Sequence, residues 1–232
     1  MTANRTIIAA LILALGIVVG GFLLGDGLKR ARLADRSVEV RGLAERDVTA
    51  DLATWTIQFT GQGTDFNTVK ADTAQMADSV RAFLREQGFP SDAVTTEGLS
   101  VNQWMNGGIP NVQVRQSIRL NTSDIAAARR AYAAQGALLD RGVALEGGAP
   151  SMVYSFTRLT DLKPEMIAEA TRDARAAAEQ FAKDSGAGVG GIKSARQGYF
   201  SIEPRDGAVG QATESPSQKV RVVTSVDFYL TD

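Results

Sequence analysis

The chain has 232 residues, 44% of them hydrophobic and 22% charged, enough for one large domain or two small ones with a real core. Its 25 Lys+Arg and 26 Asp+Glu leave a net charge of −1, which gives no electrostatic footprint for nucleic acid. Histidine and cysteine are both absent. That excludes imidazole bases, Ser-His-Asp and Cys-His nucleophile systems, thiolate chemistry, disulfides and ordinary zinc sites. An enzyme built on this chain is left with carboxylate, Lys, Tyr or hydroxyl chemistry, or with a hard cation held by oxygen.

Ile7 to Leu24 is a run of 18 residues without a polar side chain. As a helix it reaches about 27 Å, close to a hydrocarbon core of about 30 Å. A cleaved signal peptide usually has a shorter apolar region ending in a small-x-small site, and Gly25-Asp26-Gly27 is a poor candidate for one. Residues 1–27 are therefore expected to be an uncleaved membrane anchor, with 28–36 a juxtamembrane linker. Lys29, Arg30 and Arg32 after the span outnumber Arg5 before it, which leans toward a cytoplasmic domain. The six-residue tail before the span instead resembles an export signal, so the charges leave orientation open. The span contains Gly16-x-x-x-Gly20 and Gly21-x-x-x-Gly25, with Ala10, Ala14, Gly21 and Gly25 near one helical face; small residues at that spacing let two membrane helices approach closely, so Gly16, Gly20, Gly21 and Gly25 are expected to serve helix association.

Residues 37–232 carry 20 basic and 24 acidic side chains and are expected to form one soluble domain. Val38 and Val40 alternate with charged residues as a short strand, and Leu52 to Thr60 is a longer β-branched and aromatic run. From Asn67 to Gln87 the period becomes helical, with Val69, Thr73, Met76, Ala77, Val80, Phe83 and Leu84 on one face and Gly88 as the stop. Val94–Trp104 and Val112–Leu120 are strands joined by the turn-forming Asn106 to Pro110. Thr122-Ser123-Asp124 offers N-cap oxygens to an Ala-rich helix through about Leu139, its buried stripe being Ile125, Ala128, Tyr132 and Leu139.

The pattern then restarts. Ser151 to Thr157 is a strand, and Lys163-Pro164-Glu165 opens a helix with Ile167, Ala170, Ala174, Ala178, Phe181 and Ala182 on its inner face, ended by Gly186. Strands near Ile192–Ile202 and Lys219–Leu230 complete a second strand, helix, strand, strand unit. Phe83-x-x-x-x-Gly88 recurs as Phe181-x-x-x-x-Gly186, and Val112, Ile118 and Leu120 recur as Val222, Phe228 and Leu230 after 12 further residues. The second hairpin thus carries a longer loop, Glu203 to Gln218, a candidate mobile or partner-contacting surface. The fold class is α+β: two pseudo-repeated units of antiparallel sheet and packed helices behind one membrane helix.

Gly186, Gly188 and Gly191 satisfy G-x-G-x-x-G, but a helix precedes them and a strand follows, the reverse of a dinucleotide site. A helix C-cap followed by a glycine turn explains the run. Asp161, Glu165, Glu169 and Asp173 recur every four residues, and their drift around the helix reads as a solvated face rather than a cation site. Trp55, Trp104, Tyr154, Tyr199 and Phe200 lie in strands, so core packing is preferred over base stacking. Nothing nominates a catalytic residue, a cofactor-binding residue or a metal ligand.

With the repeat in view, the chain resembles the SIMPL-domain family of bacterial periplasmic immunogenic and envelope oxidative-stress proteins. Val38-Glu39-Val40-Arg41-Gly42-Leu43-Ala44 with Ala50-Asp51-Leu52-Ala53 is similar to its V-x-V-x-G-x-G and Pro-Asp-x-Ala signature, departing at Ala44 and Ala50. Leu84 to Gly88, Asp92 to Thr96 and Phe181 to Gly186 follow the same order. The resemblance implies an exported α+β domain with no catalytic residues to carry over, relatives that form ring-like or channel-like homo-oligomers, and others linked to oxidative-stress protection. It places the soluble domain in the periplasm and the anchor in the bacterial inner membrane. The expected function is thus non-enzymatic: a membrane-anchored cell-envelope protein acting through homo-oligomeric assembly, without cofactor or nucleic acid. The alternative is a cation-dependent enzyme or small-molecule binding module using carboxylates and hydroxyls.

Overall fold

Two helices with buried stripes and two sheets follow from these patterns. The structure, a computed structural model, describes residues 15–27, 35–147, 152–205 and 212–231. Residues 15–27 are helical (α1). Then come β1 (Ser37–Thr49), β2 (Leu52–Gly63), α2 (Phe66–Glu86), β3 (Val94–Asn106), β4 (Ile109–Thr122), α3 (Ile125–Ala133), α4 (Gly136–Asp140), β5 (Met152–Ser155), α5 (Leu159–Ser185), β6 (Gly188–Pro204) and β7 (Ser217–Thr231). The chain divides into two units, one of residues 45–163 with 201–221 and one of residues 1–44, 164–200 and 222–232.

In the unit of residues 45–163 and 201–221, an antiparallel sheet has the strand order β3-β4-β2-β5. Strand alternation sends Trp55, Ile57, Phe59, Ile118 and Leu120 inward, against Ala77, Val80, Phe83 and Leu84 of α2. Each of the Val, Leu, Ile and Phe side chains among them contributes about 1.5–3 kcal/mol of transfer free energy. Trp55 meets Phe83 and Tyr132 edge-on, at centroid distances of 6.4 and 5.5 Å. Asp65 caps α2 by accepting the Thr68 N–H at 2.8 Å.

Three local expectations shift in this unit. The β3–β4 turn is tighter than Asn106 to Pro110: Gly107 and Gly108 alone turn the chain at φ 57° and 85°, and Pro110 is already in β4 opposite Met105. Two successive positive φ values suit only such residues in a two-residue hairpin. The Ala-rich helix breaks after Ala133, and the break changes its phase: Ala128, Ala131 and Leu138 are buried while Leu139 is exposed. The ends of the loop expected from Glu203 to Gln218 belong to strands, since β6 runs to Pro204 and β7 starts at Ser217. Ala50 donates to the Pro216 carbonyl at 2.8 Å and the Gln218 amide to that of Tyr154 at 3.0 Å. Residues 206–211 of that loop lie outside the described residues.

In the other unit the sheet order is β1-β7-β6. This neighbour order matches β2-β4-β3, with α5 in the role of α2. The second unit therefore takes its outer strand from the chain's beginning. The strand expected to open it, β5, instead pairs with the start of β2, Leu52 opposite Ser155 and Trp55 opposite Met152; Ser151 lies outside the described residues. Helix α5 starts before Lys163, encloses Pro164, and buries Met166, Ala170, Ala174, Ala178 and Ala182. Phe181, expected on that face, is exposed and Ile167 only half-buried, because a row of alanines four apart takes the seam. Ala174 and Ala178 pack with Val38, Val226 and Phe228. The helix lies so close to β1 that a Cβ on Gly42 would stand 1.8 Å from the Ala170 carbonyl oxygen. Only Gly186 (φ 71°) acts as the α5 cap; Gly188, Gly190 and Gly191 belong to β6 rather than to a turn.

The first half of the span expected at Ile7–Leu24 lies outside the described residues, as do 28–34 of the linker. Leu15, Val18, Phe22 and Leu23 are exposed on α1. Among the described residues, no helix is long and apolar enough to cross a membrane. Every buried core residue among them lies at or after Val38. A chain beginning at Asp35 is therefore expected to fold, read as cooperative unfolding in urea at the same midpoint as the full chain. In that chain, Gly42→Ala is expected to cost about 3 kcal/mol through overpacking against backbone, read as a lowered urea midpoint with unchanged m-value.

Candidate functional site: the open edge of the four-stranded sheet

β3 is the outer strand of its sheet, and beyond Val94 every one of its residues is exposed. The geometry of covering explains this. A helix about 10 Å across spans about two strands spaced about 4.8 Å apart. Val69 of α2 packs with Val112 and Val114 of β4, and β3 lies beyond. Leu99, Val101, Trp104 (43% accessible) and Met105 (67%) are left open, joined across the turn by Ile109. The only charged residue of β3, Glu97, is held at 2.5 Å by Arg119 of β4. A bulge between Thr96 and Gly98 marks the N-terminal end of this edge.

Register sorts the two faces. Val101 pairs with the buried Val114, and Leu99 with Gln116, so both stand on the helix side of the sheet, while Trp104 opposite Asn111 stands on the other. On the helix side an open trough of about 390 Å³ runs beside α2, its walls including Phe66, Lys70, Ala74, Leu99 and Val101.

In the unit that contains α5, β6 is likewise an outer strand. Tyr199 is fully open there, 98% accessible. A polar cleft of about 210 Å³ is lined by Glu39, Ser194, Arg196, Ser225 and Asp227. The Asp35 carboxylate lies 2.6 Å from Lys193 Nζ and holds that ammonium above its ordinary value.

The residues singled out by sequence fall as follows. Trp55 and Tyr154 are core residues, but Trp104 and Tyr199 are exposed and Phe200 is half-buried; outer strands strip them of cover. The acidic residues of α5 do not converge: Asp173 accepts the Leu43 N–H at 2.9 Å, and among the described residues no group of three or more acidic side chains is placed to hold a metal ion. Around Gly16, Gly20, Gly21 and Gly25 an added Cβ would meet nothing within 4 Å, so that face of α1 is open. The openness of β3 was missed because sequence gives strand identity but not strand order.

The Ala50-Asp51 pair is a structural joint. Asp51 accepts the Thr157 N–H at 2.8 Å and Arg158 Nε at 3.1 Å, tying the start of β2 to the chain after β5. Burial pushes the Asp51 carboxyl up, but Thr157 and the Arg158 guanidinium outweigh it and hold the group below its ordinary value. At position 50, alanine supplies the N–H bonded to Pro216, which proline would lack. Ala44 is buried, so the missing glycine there is a packed methyl.

A pseudo-repeated α+β domain whose signature residues act as joints and close contacts, with an exposed outer strand in each sheet, is the class of protein described. The SIMPL model, a protein of unknown function (DUF541), matches residues 38–228, and the chain belongs to the SIMPL family. No curated protein matches it.

Asp51→Ala is expected to cost about 1–2 kcal/mol at pH 7, the worth of hydrogen bonds to a charged acceptor. Because the folded carboxyl is the stronger acid, its contribution is complete above the ordinary carboxylate range near ~4 and is lost as pH falls through the lowered folded value. Urea titrations should therefore show the gap between wild type and variant narrowing below about pH 4.

Proposed function

We propose that this SIMPL protein is a membrane-tethered cell-envelope protein that works by assembly with copies of itself, β3 being the joint. The observation that carries the reading is the open 13-residue edge strand. Soluble proteins normally blunt such an edge with lysine, proline or a cover. This one presents Leu99, Val101, Trp104 and Met105, and no lysine or proline. A second copy of β3 satisfies its outward N–H and C=O groups by strand addition. Antiparallel pairing centred near Asn102 sets Leu99 opposite Met105 and keeps the two Glu97 side chains apart, so no like charges meet.

Tethering strengthens such a joint. Anchoring through Ile7–Leu24 confines copies to a plane and raises their effective concentration, and the open face of Gly16, Gly20, Gly21 and Gly25 adds a second contact in lipid. The family resemblance favours a periplasmic domain at the inner membrane, with envelope or oxidative-stress protection as its setting and no catalysis of its own.

The full chain in mild detergent is expected to scatter light as an oligomer, and Trp104→Lys with Met105→Lys to shift it toward monomer; a wild type that is monomeric throughout refutes the assembly. Orientation is read separately. Protease added to intact spheroplasts is expected to digest the domain, and full protection reverses the placement.

A further inference from the structure

The trough beside α2 has a chemistry that strand pairing does not use. Phe66, Lys70 and Ala74 follow one another at four-residue spacing along one side, and Leu99, Val101 and Val114 supply apolar surface on the other. Its volume of about 390 Å³ lies within the size range of small-ligand clefts. Phe66, Ala74, Leu99, Val101 and Val114 make most of its lining apolar, with Thr73 and Gln116 as uncharged polar exceptions.

Lys70 sets the charge of the ligand. It is the only ionisable side chain lining the trough, and it makes no ion pair among the described residues. An ammonium beside a mostly apolar trough complements one carboxylate at the end of one alkyl chain. The Thr73 hydroxyl donates to the Val69 carbonyl at 2.7 Å, which leaves its oxygen free to accept but not to compete for the anion.

We propose that the α2–β3 trough is a binding site for a single-chain fatty acid carboxylate, with the alkyl chain along Leu99, Val101 and Phe66 and the carboxylate on Lys70. The site uses the helix-side face of β3, and strand pairing uses its outward backbone; the two share Leu99 and Val101, so the chain with the joint disrupted is tested beside the wild type.

The full chain in nanodiscs is irradiated with dodecanoate carrying a terminal diazirine, and the attachment points are mapped by mass spectrometry. Labelling is expected within residues 66–74 and 99–101, and unlabelled dodecanoate is expected to suppress it while dodecyltrimethylammonium does not. Lys70→Glu should cut that labelling at least about fivefold and transfer the site's preference to a cationic dodecyl probe. Leu99→Asp, a second exposed position, should also abolish labelling. Labelling spread along the chain, indifference to competitor, or an unchanged Lys70→Glu profile overturns the site. Running the same labelling on the Trp104→Lys, Met105→Lys chain separates it from assembly. If the trough is labelled only there, a second copy and not a fatty acid occupies it in the wild type.

Discussion

The contact on which the second unit depends is the backbone of α5 lying directly on β1. Ala170, Ala174, Ala178 and Ala182 are all buried, and their small side chains let the helix approach until Gly42 is the only residue type that fits opposite. Alanine contributes little transfer free energy per residue. What the seam gains is close dispersion contact over several turns, together with low side-chain entropy loss. The unit with α2 uses the same device more gently: a Cβ on Gly61 would come 2.4 Å from the Thr73 hydroxyl rather than into helix backbone. In both units a strand glycine sets the helix-to-sheet distance, and the remaining side chains are sized to it.

That distance also decides what is left uncovered. One helix seated low over the centre of a sheet shields the strands beneath it and none further out. α3 lies on the β2 side, so in the four-stranded sheet the uncovered strand is β3. The open edge and the trough are two aspects of one shortage: the sheet is wider than its cover. Apolar residues at Leu99 and Val101 on such a strand are costly in isolation, and a partner or ligand on that face lowers the cost.

Local features were legible in the sequence. The α2 stripe from Val69 to Leu84, the Asp124 cap and the glycine turn after Asn106 all follow from periodicity and turn chemistry that act within a few residues. The α+β class and the repeat of helix, strand and strand along the chain were legible too, through Phe83/Phe181 and Ile118/Phe228. Exchange of β1 for β5 was not, because both are short alternating runs and only pairing with distant strands distinguishes them. Aromatic content misled at Trp104 and Tyr199 for the same reason: hydrophobicity predicts a preference for burial, while position in the strand order decides whether cover exists. Phe181 and Leu139 show the smaller error of a one-residue phase, set in α5 by the alanine row and in α4 by the break before Gly136.

The interleaving of the sheet has a consequence in time. The Leu230 N–H donates to the Arg36 carbonyl at 2.9 Å, so residues from the two ends of the chain close one hydrogen bond. During synthesis β1 is made well before β7, and the sheet order β1-β7-β6 leaves β1 without its neighbour until residues 217–231 have been added. The four-stranded sheet, whose strands all lie between residues 52 and 155, has no such wait. Such long-separation pairing forms slowly. Without β7, β1 and β6 would lack the strand that lies between them, leaving two rows of backbone N–H and C=O groups to water or to another strand.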